Sequence, residues 1–284
     1  MKSSNIGGQA VMEGVMMRNA DKYAVAVRKT DGEIVVKTEE YKGIVQNKKI
    51  RSLPIIRGVF SFIDSMVLGM STLTYSASFF MDEEEEEKDE KKESVMMGLT
   101  IACSVVMAVA IFMILPYFLS QLFRKFTDST TLITLLEGAV RLVIFFGYIL
   151  LISRMKDIQR VFMYHGAEHK CINCIEHGME LNVENVLKSS RLHKRCGTSF
   201  LFIVMIVSII FFLFIRIESP IWRVVFRLLL IPVIAGVSFE FIRLAGKSEN
   251  KLVILLSKPG MMLQKLTTRE PDASMAEVAI ASVE

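Results

Sequence analysis

The sequence has little net charge of either sign. Lys and Arg number 34 against 30 Asp and Glu, so the formal net charge at pH 7 is only +4. A protein that holds nucleic acid by its phosphates needs a concentrated basic surface, so this small excess argues against nucleic acid as a partner. The basic residues are better explained as signals of membrane orientation.

The N-terminus lacks the apolar segment that a signal peptide requires. Small and polar residues, among them Gly7, Gly8, Gln9 and Glu13, stand where that segment would lie. We therefore expect the chain to begin in the cytoplasm and to insert through its own helices.

Long apolar runs, in contrast, are abundant. Hydrophobic residue types make up 52% of the 284 residues, and they gather in uninterrupted stretches rather than at the spacing of one helix face. About 20 apolar residues suffice to cross a bilayer as a helix. The sequence therefore predicts four transmembrane helices, at 95–122, 132–152, 199–215 and 221–245.

The distribution of basic residues predicts the orientation of these helices. The connection 153–198 holds eight Lys and Arg, whereas the connections 123–131 and 216–220 hold two and one. Basic connections stay in the cytoplasm, so four spans place 153–198 and both termini there. A fifth span at 53–80 would export the basic connection, and we therefore predict that 53–80 lies in or near the interface, with crossing as the alternative.

These observations predict a mainly α membrane protein: a four-helix transmembrane bundle with a small N-terminal β-hairpin unit and a cytoplasmic, helical, His/Cys-rich loop. Asp31-Gly32 between two β-rich runs predicts the hairpin. The glycine-rich string before it, 6–18, predicts a constrained loop or strand that packs closely against another part of the chain. The predicted parts are an N-terminal β-containing unit (1–52), an interfacial helix (53–80), an acidic linker (82–93), helices 1–2 (95–152), a metal-site loop (153–198), helices 3–4 (199–245) and a cytoplasmic tail (246–284).

Histidine and cysteine are scarce, with four of each, and they are unevenly placed. All four histidines and three of the cysteines fall between 165 and 196. His165 and His169 bracket Glu168 in an HxxEH pattern, which on a helix places two imidazoles on one face with a carboxylate beside them. That arrangement suits two metal ligands and a base that takes a proton from water, with Glu176, His193 or Cys196 as the third ligand.

The same segment allows two other interpretations. Cys171 and Cys174 with His193 and Cys196 have the spacing of a closed structural zinc site, and the reducing cytoplasm argues against disulfides. Alternatively, the loop is merely polar, and its side chains only form hydrogen bonds. Asn182 further predicts a helix at 183–191 that it caps.

Charged residues inside the predicted spans offer a separate hypothesis. Glu137 and Arg141 are four residues apart, and Glu240 and Arg243 are three apart. Charges are costly in lipid, so these pairs should face the bundle interior, either lining a polar cavity or forming structural ion pairs. For Arg223, Arg227 and Arg243, near the helix ends, a further alternative is that they extend towards the interface.

Four strings resemble those of one known family: GGQAVMEGVMMR (7–18), HGAEHK (165–170), RCGTSF (195–200) and PGMMLQKLTTREP (259–271). They are similar to the bacterial domain-of-unknown-function 1385 family, YqhQ-like integral membrane proteins grouped as predicted metal-dependent enzymes. The resemblance covers nearly the whole chain. Cys171 and Cys174 do not belong to the family pattern, so the resemblance favours His165, His169 and either His193 or Cys196 as ligands. The positions that match the pattern are Gly8, Gln9, Glu13, Gly14, Arg18, His165, Glu168, His169, Lys170, His193, Arg195, Cys196, Gly197 and Thr198.

The first hypothesis is accordingly a metal-dependent enzyme of the bacterial inner membrane, a hydrolase working at the cytoplasmic face on an unidentified substrate. A divalent metal, expected to be zinc, is held by His165 and His169 with His193 or Cys196, and Glu168 serves as general base. Glu13 and Arg18 are expected to close over the site or to orient an anionic substrate.

The competing hypothesis is a non-enzymatic membrane protein. A transporter, channel, or assembly or regulatory factor would carry a structural zinc or no metal, and its intramembrane charges would be its functional core. In both cases the lipid bilayer is a partner, nucleic acid is not expected, and a homo-oligomer is an open alternative.

Overall fold

The structure is a computed structural model that describes residues 4–80, 90–215, 217, 219–248 and 250–284. It divides into two compact units, each described here by itself. The first comprises Met1–Phe80, Ile152–Val204 and Pro232–Glu284, and the second comprises Met81–Leu151 and Met205–Ile231. The acidic segment 82–93 was predicted to be a linker. Its residues 82–89 lie outside the described residues, and residues 90–93 form the start of a helix.

An antiparallel four-stranded sheet in the order β1-β2-β3-β4 forms the N-terminal part of the first unit. Its strands are β1 (Ile6–Val11), β2 (Gly14–Asn19), β3 (Lys22–Arg28) and β4 (Ile34–Glu40). The predicted hairpin is confirmed, because β3 and β4 pair on either side of Asp31-Gly32 and Gly32 adopts φ +90°. The glycine-rich string forms β1 and β2.

Helices make up most of the rest of the described chain. They are α1 (Lys48–Ser52), α2 (Ile56–Ser78), α3 (Glu90–Val109), α4 (Leu115–Gln121), α5 (Thr130–Ile152), α6 (Lys156–Glu176), α7 (Val183–Lys188), α8 (Gly197–Leu213), α9 (Pro220–Lys247), α10 (Lys251–Thr267) and α11 (Ala273–Ala281). A π-helical turn, Ala110–Ile114, joins α3 to α4, and a 3₁₀ turn, Leu122–Lys125, follows α4. The segment 246–284, predicted only as a tail, thus contains two helices.

Both faces of the sheet are covered, which explains why β2 and β3 are apolar except at their ends. Val15, Met17 and Ala26 pack in one cluster with side chains of α6 and α11. Met16 and Val25 face the opposite way and pack in a second cluster that includes Leu68 of α2. The sheet therefore lies between α2 on one side and α6 with α11 on the other.

Four helices of the described chain are long and apolar enough to cross a membrane. They are Ile56–Ser78, Val95–Lys125, Thr130–Ile152 and Pro220–Lys247. The last three correspond to predicted spans. The predicted span 199–215 is the apolar helix α8, which has only 17 residues. The helix α2, predicted to be interfacial, is the least hydrophobic of the four long helices.

The second unit encloses a charged cluster at Glu137. Arg141 donates to its Oε1 at 2.8 Å, and Arg227 donates to both carboxylate oxygens at 2.6 and 2.8 Å. All three side chains are buried. The i, i+4 pair is thus present, but Arg227 does not extend to the interface, because Glu137 offers it a bidentate partner.

In the first unit, the ion-pair partner of Glu240 is Arg57 and not Arg243, the partner that the spacing suggested. Its carboxylate forms a bidentate ion pair with Arg57 of α2. Close packing between α2 and α9 permits this pair, since a Cβ on Gly58 would come within 2.9 Å of the Gly236 backbone.

Candidate metal centre

The helix α6 carries the HxxEH pattern in one uninterrupted stretch. An α-helix turns about 100° per residue, so His165 and His169 lie one turn apart on the same side. Their ring centroids are 4.4 Å apart. Glycine at 166 allows the chain that follows α10 to cross over α6, because a Cβ there would meet the Arg269 carbonyl oxygen at 2.0 Å.

Backbone carbonyls orient both imidazoles. Thr267 O lies 2.9 Å from His165 Nδ1, and Arg191 O lies 2.6 Å from His169 Nδ1. Because a carbonyl oxygen can only accept, each Nδ1 must carry the hydrogen, and the lone pair of the neutral ring is then on Nε2. Both rings therefore present Nε2 as the atom available to bind a metal.

Cys196 completes a group of three ligand atoms. It directly precedes α8, and the Thr198 N–H in the first turn donates to its Sγ at 3.4 Å. His165 Nε2 lies 3.2 Å from the same sulfur. Among the residues that the structure describes, His165, His169 and Cys196 form the one group whose donor atoms all lie close enough to hold an ion, within 4.8 Å of one another.

The electrostatics of this group favour an imidazolium–thiolate pair. Burial alone would raise the pKa of Cys196, but His165 and His169 outweigh it and hold that pKa well below its ordinary value. Burial likewise would lower the pKa of His165, yet the neighbouring Cys196 raises it to about 9. A thiolate is the form in which cysteine binds metals, and a cation bound at His165 would displace the proton from its Nε2.

Glu168 lies beside these ligands and is almost fully enclosed, with 4% of its surface exposed. Burial raises its pKa, although the nearby His169 and His165 oppose that shift. Strand β1 covers the carboxylate, since a Cβ on Gly8 would come within 2.8 Å of Glu168 Cγ and 2.9 Å of Oε1. Only a residue without a side chain allows the strand to pass this close.

Two buried polar atoms at this site have no hydrogen-bond partner, namely His169 Nε2 and Glu168 Oε2. An unsatisfied buried polar atom costs about 1–3 kcal/mol, so native proteins seldom keep one without a reason. A divalent cation at the cluster would bind the first atom and attract the second. Two imidazoles and one thiolate are donors that zinc prefers, so these residues fit the predicted metal.

His193 lies near the cluster, with its ring centroid 5.8 Å from that of His169, but its Nε2 is 3.4 Å from Glu176 Oε2. Burial would raise the pKa of Glu176, but bonds from His193, Ser4 and Arg195 lower it to about 2. The structure thus places His193 with Glu176, and Cys196 with His165 and His169.

Glu13 and Arg18 have partners other than the cluster. Glu13, at the turn between β1 and β2, pairs with Arg160 and accepts from the Tyr164 hydroxyl at 3.3 Å. Arg18 donates to Ala20 O at 2.8 Å and lies over the Tyr41 ring. The part of the N-terminal string that reaches the cluster is Gly8.

Cys171 and Cys174 are not assembled with His193 and Cys196. Cys171 is about 200° around α6 from His169, and its Sγ lies 3.5 Å from Ala279 O of α11. Cys174 Sγ lies 3.4 Å from Glu180 O. Both are buried in the apolar cluster between α6 and α11.

Three further residues hold the backbone around the site. Lys170 matched the family pattern but had no assigned role, and Gln264 and Asn173 were not singled out in the sequence. Gln264 of α10 accepts from His193 N at 2.9 Å and donates to His193 O at 2.7 Å. Lys170 donates to Leu187 O and Ser189 O, and Asn173 donates to Ser190 O and Leu192 O. Lys170, Asn173 and His169 thus hold the backbone of 187–192 against α6. Gln264 ties His193 to α10.

Comparison with known proteins places this arrangement in an uncharacterised group. The chain is 37% identical over 287 residues to "Uncharacterized protein YqhQ" of Bacillus subtilis (strain 168), covering 97% of this chain and 90% of the relative. No solved structure matches the chain. The profile of the family described as "Protein of unknown function (DUF1385)" matches residues 53–284, which include every ligand candidate, and the chain belongs to that family.

Proposed function

We propose that the protein is a metal-dependent membrane enzyme, a hydrolase, with its centre at His165, His169 and Cys196. The observation that carries this proposal is a cluster of three ligand atoms beside a buried carboxylate, with His169 Nε2 and Glu168 Oε2 both unpartnered. Three protein ligands with one position left for water or substrate are typical of catalytic zinc sites.

The ligands are held in place before a metal binds. The carbonyls of Thr267 and Arg191 fix the tautomer and the orientation of both imidazoles, as carboxylates and carbonyls do around many metal sites. The hydroxyl and the N–H of Thr198 both contact the Cys196 sulfur and fix its position. A divalent metal, when bound, supplies Lewis-acid activation at neutral pH.

Glu168 is the proposed general base. Its position one residue before His169 places its carboxylate next to the ligands, and β1 shields it from bulk solvent at Gly8. A base in this position takes a proton from water and returns it to the leaving group. Glu13 and Arg18 are not included in this role, because their contacts are with Arg160 and Tyr41.

We further propose that the centre faces the cytoplasm at the inner membrane. This orientation takes α3 with α4, α5, α8 and α9 as the spans and leaves α2 in or near the interface. Of the four, α3 with α4, α5 and α9 have the length and composition of membrane spans, and α8 is apolar over 17 residues. The connection that carries the site, 153–198, holds eight Lys and Arg against two and one in the connections at 123–131 and 216–220. Both termini would then be cytoplasmic.

A structural zinc in a non-enzymatic membrane protein is the second candidate, because the candidate site is deeply enclosed. His169 is 1% and Cys196 is 6% exposed. The two candidates differ in what chelation does. A metal of the catalytic type should be removable while the fold is retained, whereas loss of a structural metal should unfold the first unit.

The proposal is tested by measuring metal in the detergent-purified, full-length protein by elemental mass spectrometry. We expect about one zinc-like ion per chain, as in three-ligand sites. His169→Ala should abolish it, because a lost ligand removes most of the affinity. Cys174→Ser is the matched control and should retain the metal. The reverse pattern would assign the metal to the structural Cys₃His site.

A further inference from the structure

The second unit contains a polar cavity of about 760 Å³, and none of its lining residues belongs to the first unit. It lies where α4 ends and where α5 and α9 begin. The volume falls within the range of about 300–1,000 Å³ that is usual for small-ligand sites. The polar side chains that line it are those of Tyr117, Gln121, Arg124, Thr130, Thr131 and Arg223.

The lining is suited to an anion. Two guanidiniums, three hydroxyls and an amide face the cavity, and no acidic side chain is among its described lining residues. Arg124 is held by a bond from Nε to Gln121 Oε1 at 2.6 Å, and Arg223 by a bond from Nε to Ile217 O at 2.8 Å. Guanidinium groups bind phosphate with two parallel hydrogen bonds, which is the strongest form of this contact.

A buried excess of positive charge lies behind this lining. Arg223 and Arg227 both lie over the Tyr117 ring, with each Cζ 5.6 Å from its centroid. Arg227 is 2% exposed, and its buried Nε has no hydrogen-bond partner. It shares the single carboxylate of Glu137 with Arg141, so two buried cations face one anion. The N-terminal ends of α5 and α9 add partial positive charge at the cavity.

Aromatic side chains at the same helix ends indicate the depth of the cavity in a bilayer. Trp222, Phe123 and Phe126 are 59%, 39% and 84% exposed. Exposed tryptophan collects at the level of the lipid headgroups. The cavity would therefore open at the level at which lipid phosphates lie.

We infer that this cavity is a second, separate binding site, which takes a phosphate group carried by an anionic phospholipid or by a soluble phosphate compound. The two guanidiniums bind the phosphate oxygens, and the threonine and tyrosine hydroxyls supply further hydrogen bonds. The site does not depend on the metal centre, so either can be tested without the other.

Trp222 is the one tryptophan of the chain and stands next to Arg223, so we expect a ligand bound at Arg223 to change its fluorescence. The full-length protein in micelles of a neutral detergent is titrated with phosphatidylglycerol and, separately, with phosphatidylcholine. We expect a saturable change with phosphatidylglycerol alone. The double variant Arg124→Gln/Arg223→Gln should bind at least about tenfold more weakly, because it loses charge-assisted hydrogen bonds.

Lys125→Gln is the matched control, since it removes a neighbouring positive charge outside the lining and should bind as the parent does. Arg124→Gln alone, at an exposed side chain, replaces the double variant if that one does not fold. Competition by inorganic phosphate would assign the site to soluble phosphates, and binding of phosphatidylglycerol without such competition would assign it to lipid. An equal response to both lipids, or an equal loss in Lys125→Gln, would overturn the inference.

Discussion

Glu168 is the residue at which an enzymatic and a structural role of the His/Cys cluster differ most. A base does not bind the metal, so Glu168→Gln should keep the fold and the metal content. The amide fills the same space between β1 and α6 but cannot take a proton from water. The loss of a general base costs on the order of 10²–10⁴ in rate, and we expect a loss of this size in activity.

The readout is complementation in a Bacillus subtilis strain that lacks YqhQ, under a condition in which that deletion has a phenotype, with metal content measured on the purified variant. A metal-replete Glu168→Gln protein that complements fully would remove the proposed mechanism. A variant without metal would instead make Glu168 a ligand, and Glu176 would be the next base to test.

Gly8 should tolerate a side chain less well than its neighbour Gly7 in the N-terminal string. A Cβ there would lie 2.8 Å from Glu168 Cγ, so Gly8→Ala must displace the buried carboxylate or strand β1. Overpacking of this kind destabilises a protein by about 1–3 kcal/mol. Gly7→Ala is the matched control, since nothing lies within 4 Å of a Cβ at that position.

Thermal unfolding of the two glycine variants in the same detergent measures this difference. Gly8→Ala should unfold at a lower temperature than Gly7→Ala and should also lose activity in the complementation assay. Equal stability of the two variants would show that β1 does not pack closely against Glu168.

The residues of the site could be predicted from the sequence only where side-chain chemistry and helical spacing define them. His165, His169 and Glu168 follow from a pattern of period four on one helix. The carbonyls of Thr267 and Arg191 could not be predicted, because every residue has a carbonyl and only the fold shows which one accepts. Gly8 belonged to a recognised string, but the string did not reveal that it packs against α6.

Among the helices, the π-helical turn before α4 is explained by one residue, Pro116. Pro116 has no N–H to donate to the carbonyl four residues earlier, that of Phe112. Arg141 Nε donates to that oxygen at 2.9 Å. The arginine thus compensates for the proline while it also binds Glu137, which links α4 and α5 to the charged cluster.

Glu137 should accordingly be the charge on which packing of the second unit depends most. Glu137→Gln leaves Arg141 and Arg227 buried without a counter-ion, and loss of one partner of a buried pair costs about 3–5 kcal/mol. Arg227→Met should cost less, because the Glu137–Arg141 pair remains balanced. Thermal unfolding in detergent measures both.

Glu184→Gln serves as the control for this comparison, since Glu184 forms an i, i+4 pair with Lys188 like that of Glu137 with Arg141, but on an exposed surface. Its unfolding temperature should match that of the parent. An equally small effect of Glu137→Gln would mean that the arginines find other partners or water.

The elements could be predicted where their signals are local. Asp31-Gly32 predicted the β3–β4 hairpin, and Asn182 predicted the start of α7, where its side chain accepts from Asn185 N at 2.9 Å. The end of α7 was predicted three residues too late, because Lys170 binds the Leu187 and Ser189 carbonyls. The nine-residue α11 was missed, since short helices owe their stability to tertiary packing, here against α6 and β2.

For the whole molecule, the orientation in the membrane is the property that the basic residues predict and that the proposed function requires. We expect Ser129 on the outer side and Glu180 in the cytoplasm. Single cysteines at these exposed positions, in a Cys103→Ser background, are labelled with an impermeant thiol reagent. Ser129→Cys should react in intact cells, and Glu180→Cys only after permeabilisation. The Cys103→Ser protein without an added cysteine retains three buried cysteines, and its labelling gives the background signal.

A third cysteine in the same experiment, at the exposed Gln46, decides the path of α2. If α2 lies in or near the interface, Gln46 and Glu180 are on the same side and react alike. The packing of Leu68 against the sheet and the ion pair between Arg57 and Glu240 fit this arrangement, since both tie α2 to the unit that holds the metal centre. Labelling of Gln46→Cys from outside, with Glu180→Cys protected, would make α2 a membrane span. Labelling of Glu180→Cys in intact cells would instead contradict the cytoplasmic placement of the whole candidate site.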